Sequence, residues 1–198
     1  MGLELEASAV DRLMSLMRLL AKWNRVYNLT SLATEEKWVS HHLLDSLSII
    51  RHLPIGRMID VGTGGGFPGL PVAIAEPRRE VVLLDSNQKK TAFVRQAATE
   101  LGLTNVSVET SRVESFLPTQ RFDVVVSRAF ASLEQYYQAA AHLCKEGGLL
   151  VAMKGAMPVD EIAALPTGTL REAFRVEVPM IDGERHLVLL NPPGAVKD

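Results

Sequence analysis

The sequence has a single cysteine, Cys144, among 198 residues, and its start shows no basic segment followed by an apolar core. One cysteine excludes an internal disulfide framework and a zinc cluster of cysteines, and it favours a reducing compartment. No stretch of about 18 apolar residues is present, so we expect no membrane span. Together with the missing signal-peptide pattern, this predicts a cytoplasmic protein.

The sequence also lacks a large excess of either charge. It has 21 Lys and Arg residues and 23 Asp and Glu residues, and the formal net charge is −2. Overall charge therefore does not favour binding to a polyanion, and any nucleic-acid contact has to come from a local basic patch. The length suits one compact α/β domain with a small extension.

Residues 1–54 are predicted to form a helical extension. Apolar residues recur at helical spacing from Leu13 to Trp23, which is typical of an amphipathic helix. A second helical segment is predicted from about Thr34 to His52, and Pro54 and Gly56 end it.

Residues 55–198 alternate between strand-like and helix-like segments, which predicts a mostly parallel sheet covered on both faces. A helix is expected from Gln88 to Leu101, with Ser86 or Asn87 as its cap, and another from Ser132 to Lys145. Asp182-Gly183 between two strand-like runs predicts a terminal antiparallel hairpin, an ending that is typical of methyltransferase sheets. The predicted strands are Met58–Val61, Val81–Asp85, Val106–Val108, Asp123–Ser127, Leu149–Met153, Phe174–Met180 and His186–Leu190.

The first strand ends in a glycine-rich turn between Asp60 and Gly69. Glycines such as Gly62 and Gly64 let a ligand approach the backbone, at the strand edge where ligands of such folds bind. A buried acid at position 60 suits the ammonium of S-adenosylmethionine, whereas a pyrophosphate would gain nothing from it. The turn therefore predicts an S-adenosylmethionine site in a Rossmann-like methyltransferase fold.

Two further acids are candidate adenosine ligands. Asp85 closes the second strand, where an acid accepts both ribose hydroxyls of an adenosine, in NAD as well as in S-adenosylmethionine. Glu114 follows the third strand and, with the backbone near Val113, is placed to meet the adenine amino group. An ordinary surface acid is an equally good interpretation of Glu114.

The residues after the fourth strand, Ser127 to Phe130, are expected to face the methyl acceptor. They lack the motif that binds an attacking amine, and Asn191-Pro192-Pro193 lies too near the end of the chain to supply it. Cys144 is predicted to pack in the core rather than act as a nucleophile. A guanine N7 fits, because its free lone pair needs alignment more than activation. Arg128 is the candidate to orient guanine or to line the cofactor pocket, and pairing with an acid remains its alternative.

Three other functions stay open on the residues alone: methylation of a small molecule or a protein, a nicotinamide-dependent oxidoreductase, and a non-catalytic RNA-binding protein. The hairpin and Asp60 speak against the oxidoreductase, and intact Gly62, Asp85 and Arg128 speak against a non-catalytic protein. No metal site is predicted, because the adjacent His41 and His42 point to different faces of a helix and no matching pair exists.

Motifs in both parts of the chain together resemble the RsmG (GidB) family, which methylates N7 of a guanine in bacterial 16S rRNA. They are Asn28-Leu29-Thr30, His42-Leu43-Leu44-Asp45-Ser46, Asp60 to Gly69, Leu83-Leu84-Asp85-Ser86, Ser111-Arg112-Val113-Glu114, Ser127-Arg128-Ala129-Phe130-Ala131, Lys154-Gly155 and Asp182-Gly183-Glu184-Arg185-His186. Family members often have Pro in place of Gly65 and Leu in place of Phe67, so this chain departs mildly at the turn.

The resemblance implies a 16S rRNA or 30S subunit substrate. The free lone pair of guanine N7 predicts an in-line methyl transfer without a general base, with Arg128 as the catalytic residue. The resemblance also implies cofactor contacts at Gly62, the backbone around Phe67, Val113, Glu114 and Arg128. The same motifs supply the candidate substrate-binding residues Asn28, His42, Asp45, Arg112 and Lys154. A local basic rim is a further expectation, formed by Arg18, Lys22, Arg25, Lys89, Lys90, Arg112, Arg128 and Lys154.

Overall fold

The computed structural model describes residues 2–30 and 36–194. The predicted helix start at Thr34 lies outside these residues. The described helices are α1 (Ala7–Tyr27), α2 (Glu36–Trp38), α3 (Asp45–Leu47), α4 (Gly69–Ala75), α5 (Gln88–Glu100), α6 (Leu133–Ala140) and α7 (Val159–Ala163), with a π-helical stretch at Val39–Leu44 between α2 and α3. The strands are β1 (Met58–Val61), β2 (Val81–Asp85), β3 (Val106–Thr110), β4 (Phe122–Ser127), β5 (Cys144–Lys154), β6 (Leu170–Arg175) and β7 (His186–Leu190).

Within the described ranges the strands form one seven-stranded sheet in the order β3-β2-β1-β4-β5-β7-β6. Strands β1 to β5 pair in parallel, and β7 pairs antiparallel with both β5 and β6. Every residue of β1 and β2 is buried, as continuous apolar strands covered on both faces require. The mostly parallel sheet with an antiparallel end is therefore confirmed.

Helix α1 packs against the sheet domain through one apolar face. Leu13, Leu16 and Leu20 are buried in the same core cluster as residues of α4 and α5, and the Trp23 ring lies 5.6 Å from the ring of Phe93 on α5. An amphipathic helix gains most of its stability from such a face. The division of the chain near residue 54 stays a prediction, since these contacts do not locate a domain boundary.

The helix predicted to run to Lys145 is shorter than expected. It ends at Ala140, a 3₁₀ turn covers Ala141–Leu143, and Cys144 already belongs to β5, opposite Phe122. The Gly147-Gly148 pair lies inside the strand, where the ladder between β4 and β5 shifts register. Gly148 is needed there because a Cβ would lie 2.7 Å from the Cys144 Sγ. Cys144 is buried as predicted, in a strand instead of a helix.

The terminal hairpin is confirmed, but its predicted turn was wrong. Strand β6 ends at Arg175, well short of Met180, so residues 176–185 connect it to β7 instead of the four residues 181–184. Pro179 has no N–H to continue a ladder, and Met180 adopts a left-handed conformation with φ of 62°. The longer connection carries Arg185 back toward the helical segment near residue 45.

Truncating the buried face of α1 tests whether this helix is part of the folded unit. Leu16→Ala is expected to lower the free energy of unfolding by about 2–5 kcal/mol, because Leu16 is fully buried and the change leaves a cavity. The matched control, Met14→Ala, changes a side chain of the same helix that is 42% exposed, and should stay within about 0.5 kcal/mol. Urea unfolding measures both, and equal small effects would show that α1 contributes little.

Candidate active site

The turn after β1 brings the backbone close to the loop after β4. Gly62 has φ of 71°, and a Cβ there would lie 2.7 Å from the Cβ of Ala129. Gly64 also adopts a left-handed conformation, with φ of 59°. Both positions favour glycine, and the absence of a Cβ at position 62 lets the turn lie close to the loop after β4.

Asp60 is fully buried beneath this turn. Its Oδ2 accepts hydrogen bonds from the Thr63 hydroxyl at 2.6 Å and from the Gly69 N–H at 2.9 Å. Its Oδ1 has no hydrogen-bond partner among the described residues. Burial raises the pKa of Asp60 to about 6, although both hydrogen bonds act to lower it. A buried carboxylate oxygen without a donor is costly, so this atom indicates a place for a donor from a ligand or water.

Asp85 ends β2 and organises the same turn. Its Oδ2 accepts from the Gly64 N–H at 2.9 Å, and its Oδ1 accepts from the Asn87 N–H at 2.8 Å. Asn87 in turn caps α5 by accepting from the N–H groups of Lys89 and Lys90. Because a carboxylate offers about four acceptor positions, Asp85 can still accept from ligand hydroxyls.

A cavity of about 280 Å³ opens beside this carboxylate, and we call it the Asp85 cavity. It lies at the carboxyl ends of β1, β2 and β4, where ligands of such sheets bind. Its lining residues are Val61, Gly62, Leu84, Asp85, Ser86, Lys90, Ser111, Arg112, Val113, Glu114, Ala129 and Phe130.

A second cavity of about 360 Å³ lies between the helical segment around residue 42 and the ends of β4, β5 and β7, and we call it the His42 cavity. Arg128 lines it, whereas the next two residues along the chain line the Asp85 cavity. The loop after β4 is thus common to both cavities. The residues lining the His42 cavity are Thr30, His41, His42, Asp45, Ser48, Arg128, Met153, Lys154, Gly155, Val176, Arg185, His186 and Leu187.

Two guanidinium groups share one buried carboxylate in the His42 cavity. Asp45 is 4% exposed; its Oδ2 lies 3.2 Å from Arg128 Nη1 and its Oδ1 lies 3.0 Å from Arg185 Nε. Both arginine side chains are about one quarter exposed. The carboxylate therefore holds two positive groups close together while each keeps part of its surface toward the cavity.

Arg128 is fixed by several contacts at once. Its Nη1 also donates to the His41 carbonyl at 3.0 Å, and its Nη2 lies 3.4 Å from His42 Nδ1. Its Cζ lies 5.9 Å from the centre of the Phe67 ring. These contacts orient the guanidinium toward the helical segment and away from the Asp85 cavity.

His42 is buried between Phe67, Arg128 and Thr30. Its ring stacks on Phe67 with centroids 4.5 Å apart, and its Nε2 lies 2.9 Å from the Thr30 hydroxyl. Burial, reinforced by the charge of Arg128, lowers the pKa of His42 to about 3. A neutral ring accepts from Arg128 at Nδ1 and donates to Thr30 at Nε2, which assigns its tautomer from the hydrogen bonds.

The low pKa of His42 predicts a pH-dependent stability. An unfolded histidine titrates near 6.5, so between pH 6.5 and 3 the unfolded chain binds more protons and the stabilisation is lost as pH falls. Asp60 acts in the opposite direction, because its raised pKa costs stability as pH rises toward 6. His42→Gln should therefore lower the slope of the unfolding free energy against pH between about pH 3 and 6.5, by up to about 1.4 kcal/mol per pH unit. Parallel wild-type and variant profiles from urea unfolding would contradict this.

The structure brings together most of the predicted residues, in two groups. Gly62, Asp85, Val113 and Glu114 line the Asp85 cavity, while His42, Asp45 and Lys154 join Arg128 in the His42 cavity. Arg112 was a candidate for substrate but lines the Asp85 cavity. Arg128 lines the His42 cavity and pairs with Asp45, the alternative that the sequence left open. Its role toward guanine or the cofactor stays a prediction.

Four predicted residues line neither cavity: Asp60 and Gly64, which belong to the glycine-rich turn described above, and Phe67 and Asn28. Phe67 is buried, with its ring against His42 and its N–H donated to the Thr63 carbonyl. Asn28 is exposed and ends α1 in a left-handed conformation with φ of 48°. Their predicted roles in ligand contact remain untested by this geometry.

Sequence reasoning missed two members of the His42 cavity. Arg185 and His186 belong to the last quoted motif, Asp182 to His186, but neither was assigned a role. His186 is buried, and its Nδ1 lies 3.0 Å from the Gly155 carbonyl. Lys154 pairs with Glu161 at 3.0 Å, and Glu161 also accepts from the Leu133 N–H at the start of α6. The positive charge of Arg185 and its place in the motif Asp182 to His186 could have identified it as a site residue.

Neither a metal cluster nor a membrane-spanning helix occurs in the described part of the chain. No three His, Cys, Asp or Glu side chains of residues 2–30 and 36–194 come together as potential ligands. None of the helices in the same ranges is long and apolar enough to cross a bilayer.

Solved structures with a similar backbone include methyltransferases. TrmN from Thermus thermophilus matches with a TM-score of 0.60 and 23% identity, over 74% of this chain and 48% of that one. The ribosomal protein L11 methylase of Lactobacillus delbrueckii subsp. bulgaricus matches with a TM-score of 0.62 and 15% identity, over 81% and 80%. Coclaurine N-methyltransferase, solved with N-methylheliamine and SAH, gives a TM-score of 0.54 and 15% identity, over 73% and 51%. The predicted Rossmann-like methyltransferase fold is confirmed.

Sequence relatives are far closer than these structures. A protein of Chromobacterium violaceum named ribosomal RNA small subunit methyltransferase G is 53% identical over 190 residues, which cover 95% of this chain and 91% of that protein. The protein of the same name from Nitrosococcus oceani is 50% identical, over 97% and 90%. The family model GidB, described as rRNA small subunit methyltransferase G, matches residues 9–188. The resemblance that the motifs indicated is confirmed, and the chain belongs to the rRNA small subunit methyltransferase G family.

Proposed function

We propose that this chain transfers a methyl group from S-adenosylmethionine to N7 of a guanine in the 16S rRNA of the small ribosomal subunit. The observation that carries the proposal is the pair of cavities at the carboxyl edge of the sheet, joined by the loop of Arg128, Ala129 and Phe130. One cavity suits a nucleoside-containing cofactor, and the other suits a planar polar base. The names of the relatives support rRNA of the small subunit as the substrate, and a cytoplasmic location follows from that proposal.

The Asp85 cavity fits S-adenosylmethionine. Asp85 faces it as an acceptor for ribose hydroxyls, and Val113 and Glu114 line its far side for the adenine. A Cβ at position 62 would lie 2.7 Å from the Cβ of Ala129, which lines the same cavity. Asp60 is buried and does not line this cavity, so it acts through the turn, where it accepts from Thr63 and Gly69. When bound, the cofactor supplies an electrophilic methyl group on a sulfonium; the SAH in the coclaurine N-methyltransferase structure supports this cofactor class.

The His42 cavity fits a guanine that needs no deprotonation. Arg128 and Arg185 present donors for an O6 or a phosphate oxygen, and the shared Asp45 keeps them in place. His42 is held neutral with a pKa of about 3, so it is too weak a base to remove a proton at neutral pH. A guanine N7 already has a free lone pair, so the chain's task is to align the base and exclude water.

Methylation of defined RNA tests the proposal directly. The purified protein would be incubated with labelled methyl donor and either 30S subunits or deproteinised 16S rRNA from a strain lacking the family's enzyme. Label at N7 of one guanine, located by mapping the modified base, is expected. Label on a ribosomal protein or a small molecule, or none on either RNA sample, would overturn the proposal.

Asp85 gives a separate test of the cofactor site. Asp85→Ala is expected to weaken S-adenosylmethionine binding by about 1.5–3 kcal/mol, because it removes a charged acceptor of the ribose and the partner of the Gly64 N–H. Glu109→Ala is the matched control, since Glu109 is an exposed acid on the neighbouring strand β3 and lines neither cavity. Calorimetric titration decides: an unchanged dissociation constant in folded Asp85→Ala, or binding of NAD by the wild type instead, contradicts the assignment.

A further inference from the structure

The second half of α1 concentrates positive charge on a protein that is acidic overall. From Arg18 to Tyr27 the helix carries Arg18, Lys22 and Arg25 and no acid, although Asp and Glu outnumber Lys and Arg in the whole chain. The spacing of four and three residues places the three cations on one face, and we call them the α1 basic stripe. All three are exposed, and within the described ranges none of them forms an ion pair.

The stripe borders a groove of about 410 Å³ between α1 and the next helical segment. Its opposite wall is formed by Trp38 and Val39. Met14, Met17 and Ala21 of α1 line the groove beside the cations, and Trp38 is 5% exposed. The feature of this groove that suits RNA is its row of three cations, which can track a phosphate backbone.

The helix that bears the stripe is linked to the His42 cavity through Thr30. Three residues after the end of α1, Thr30 contacts His42 at the rim of that cavity, and the Thr30 N–H is held by Asn24 of α1 at 3.0 Å. Lys37 directly precedes Trp38 of the groove and lines a third depression, which shares His41 and Arg185 with the His42 cavity and also contains Asp182. Lys37 and Arg185 are therefore two further cations near the cavity that the proposed function assigns to guanine.

We infer that the α1 basic stripe binds the phosphates of a single-stranded RNA segment next to the target base. The inference rests on the proposed function. A base that enters a recessed cavity has to leave its stack, so the neighbouring nucleotides are unpaired and their phosphates lie outside the cavity. A chain with a net charge of −2 needs a local patch to hold such a segment. The stripe supplies affinity for RNA, and Arg128 with its partners holds the base.

The experiment compares a variant that lacks two arginines of the α1 basic stripe with a control variant that lacks two arginines on another surface. Arg18→Ala/Arg25→Ala is the test variant. Arg78→Ala/Arg121→Ala is the control, because both residues are exposed and lie just before β2 and β4, at the edge of the sheet opposite the cavities. Single-turnover methylation would be measured against the concentration of 30S subunits, and equilibrium binding against deproteinised 16S rRNA, at several salt concentrations.

The test variant should raise the half-saturating 30S concentration and the RNA dissociation constant by roughly tenfold, with the rate at saturation and cofactor binding within about twofold of wild type. The slope of log affinity against log salt should fall by about 1.4, for two phosphate contacts to a single strand. Arg18→Lys/Arg25→Lys should retain wild-type affinity, since a phosphate contact needs charge more than a bidentate fork. The control pair should leave all of these values unchanged.

Each other outcome has a distinct meaning. Equal losses in the test and control variants would show a general charge effect and overturn the inference. A shift with 30S subunits but none with deproteinised 16S rRNA would assign the stripe to a ribosomal protein and also overturn it. Unchanged affinity in the test variant, while wild type still methylates guanine N7, would overturn the inference that the stripe binds RNA. It would leave the proposed function intact. Absence of methylation by wild type is instead a failure of the proposed function.

Discussion

Asp45→Ala is expected to lower the single-turnover rate of methyl transfer by roughly 10²-fold, because a displacement of about 1 Å in an aligning group costs that much. The carboxylate of Asp45 is the common partner of Arg128 and Arg185. Without this carboxylate, the guanidinium groups of Arg128 and Arg185 repel each other and move toward solvent. Asp45→Asn should lose less, since its amide oxygen still accepts from one guanidinium.

Stability has to be separated from alignment in this prediction. The unfolding free energy of Asp45→Ala should fall by about 1–3 kcal/mol, the usual cost of leaving partners of a buried acceptor unsatisfied. Asp123 is the matched control, because it also accepts from two groups, Lys145 Nζ and the Arg57 N–H, at the other edge of the sheet. Asp123→Ala should lose less stability, because its side chain is 29% exposed against 5% for Asp45, and it should keep its rate. Equal rates in Asp45→Ala and Asp123→Ala would show that Asp45 serves folding alone.

Local sequence signals predicted the strands that form the Asp85 cavity. Strands β1 and β2 were placed to the residue, because each is a short apolar run covered on both faces. Asn87 was one of two predicted caps for α5 and does cap it. Asp60 and Asp85 were predicted as site residues because they lie at or near the carboxyl ends of β1 and β2, where ligands of such sheets bind.

The His42 cavity depends on contacts that no local spacing contains. Asp45 and Arg185 are separated by 140 residues, and Arg128 meets His41 across 87. The motif resemblance supplied the residues, but their arrangement follows from where β7 and the residue 176–185 connection lie in three dimensions. The end of α6 was predicted too late in the chain for a similar reason. The pair Gly147-Gly148 indicates a helix stop, but it lies inside β5, where pairing with β4 decides the structure.

Arg128→Ala is expected to lower methyl transfer by roughly 10²–10³-fold, as does loss of one preorganised donor in other active sites. Its guanidinium meets three acceptors at once: the His41 carbonyl, Asp45 Oδ2 and His42 Nδ1. Arg128→Lys keeps the charge but cannot reproduce the planar fork, so it should recover only part of the rate. Single-turnover rates with saturating cofactor measure both. Full activity of Arg128→Lys would mean that charge alone matters at this position.

The same experiment across pH tests the chemistry. Guanine N7 needs no general base, so the transfer rate should lack a log-linear rise of slope one between roughly pH 6 and 8. His42, with a pKa of about 3, stays neutral throughout that range. Asp60, with a pKa of about 6, changes charge beneath the turn, so its effect should appear in cofactor affinity at low pH and vanish at saturation. A slope of one at saturating cofactor, abolished by replacing one His, Asp or Glu, would show that a proton is removed and that the acceptor is an amine or a hydroxyl.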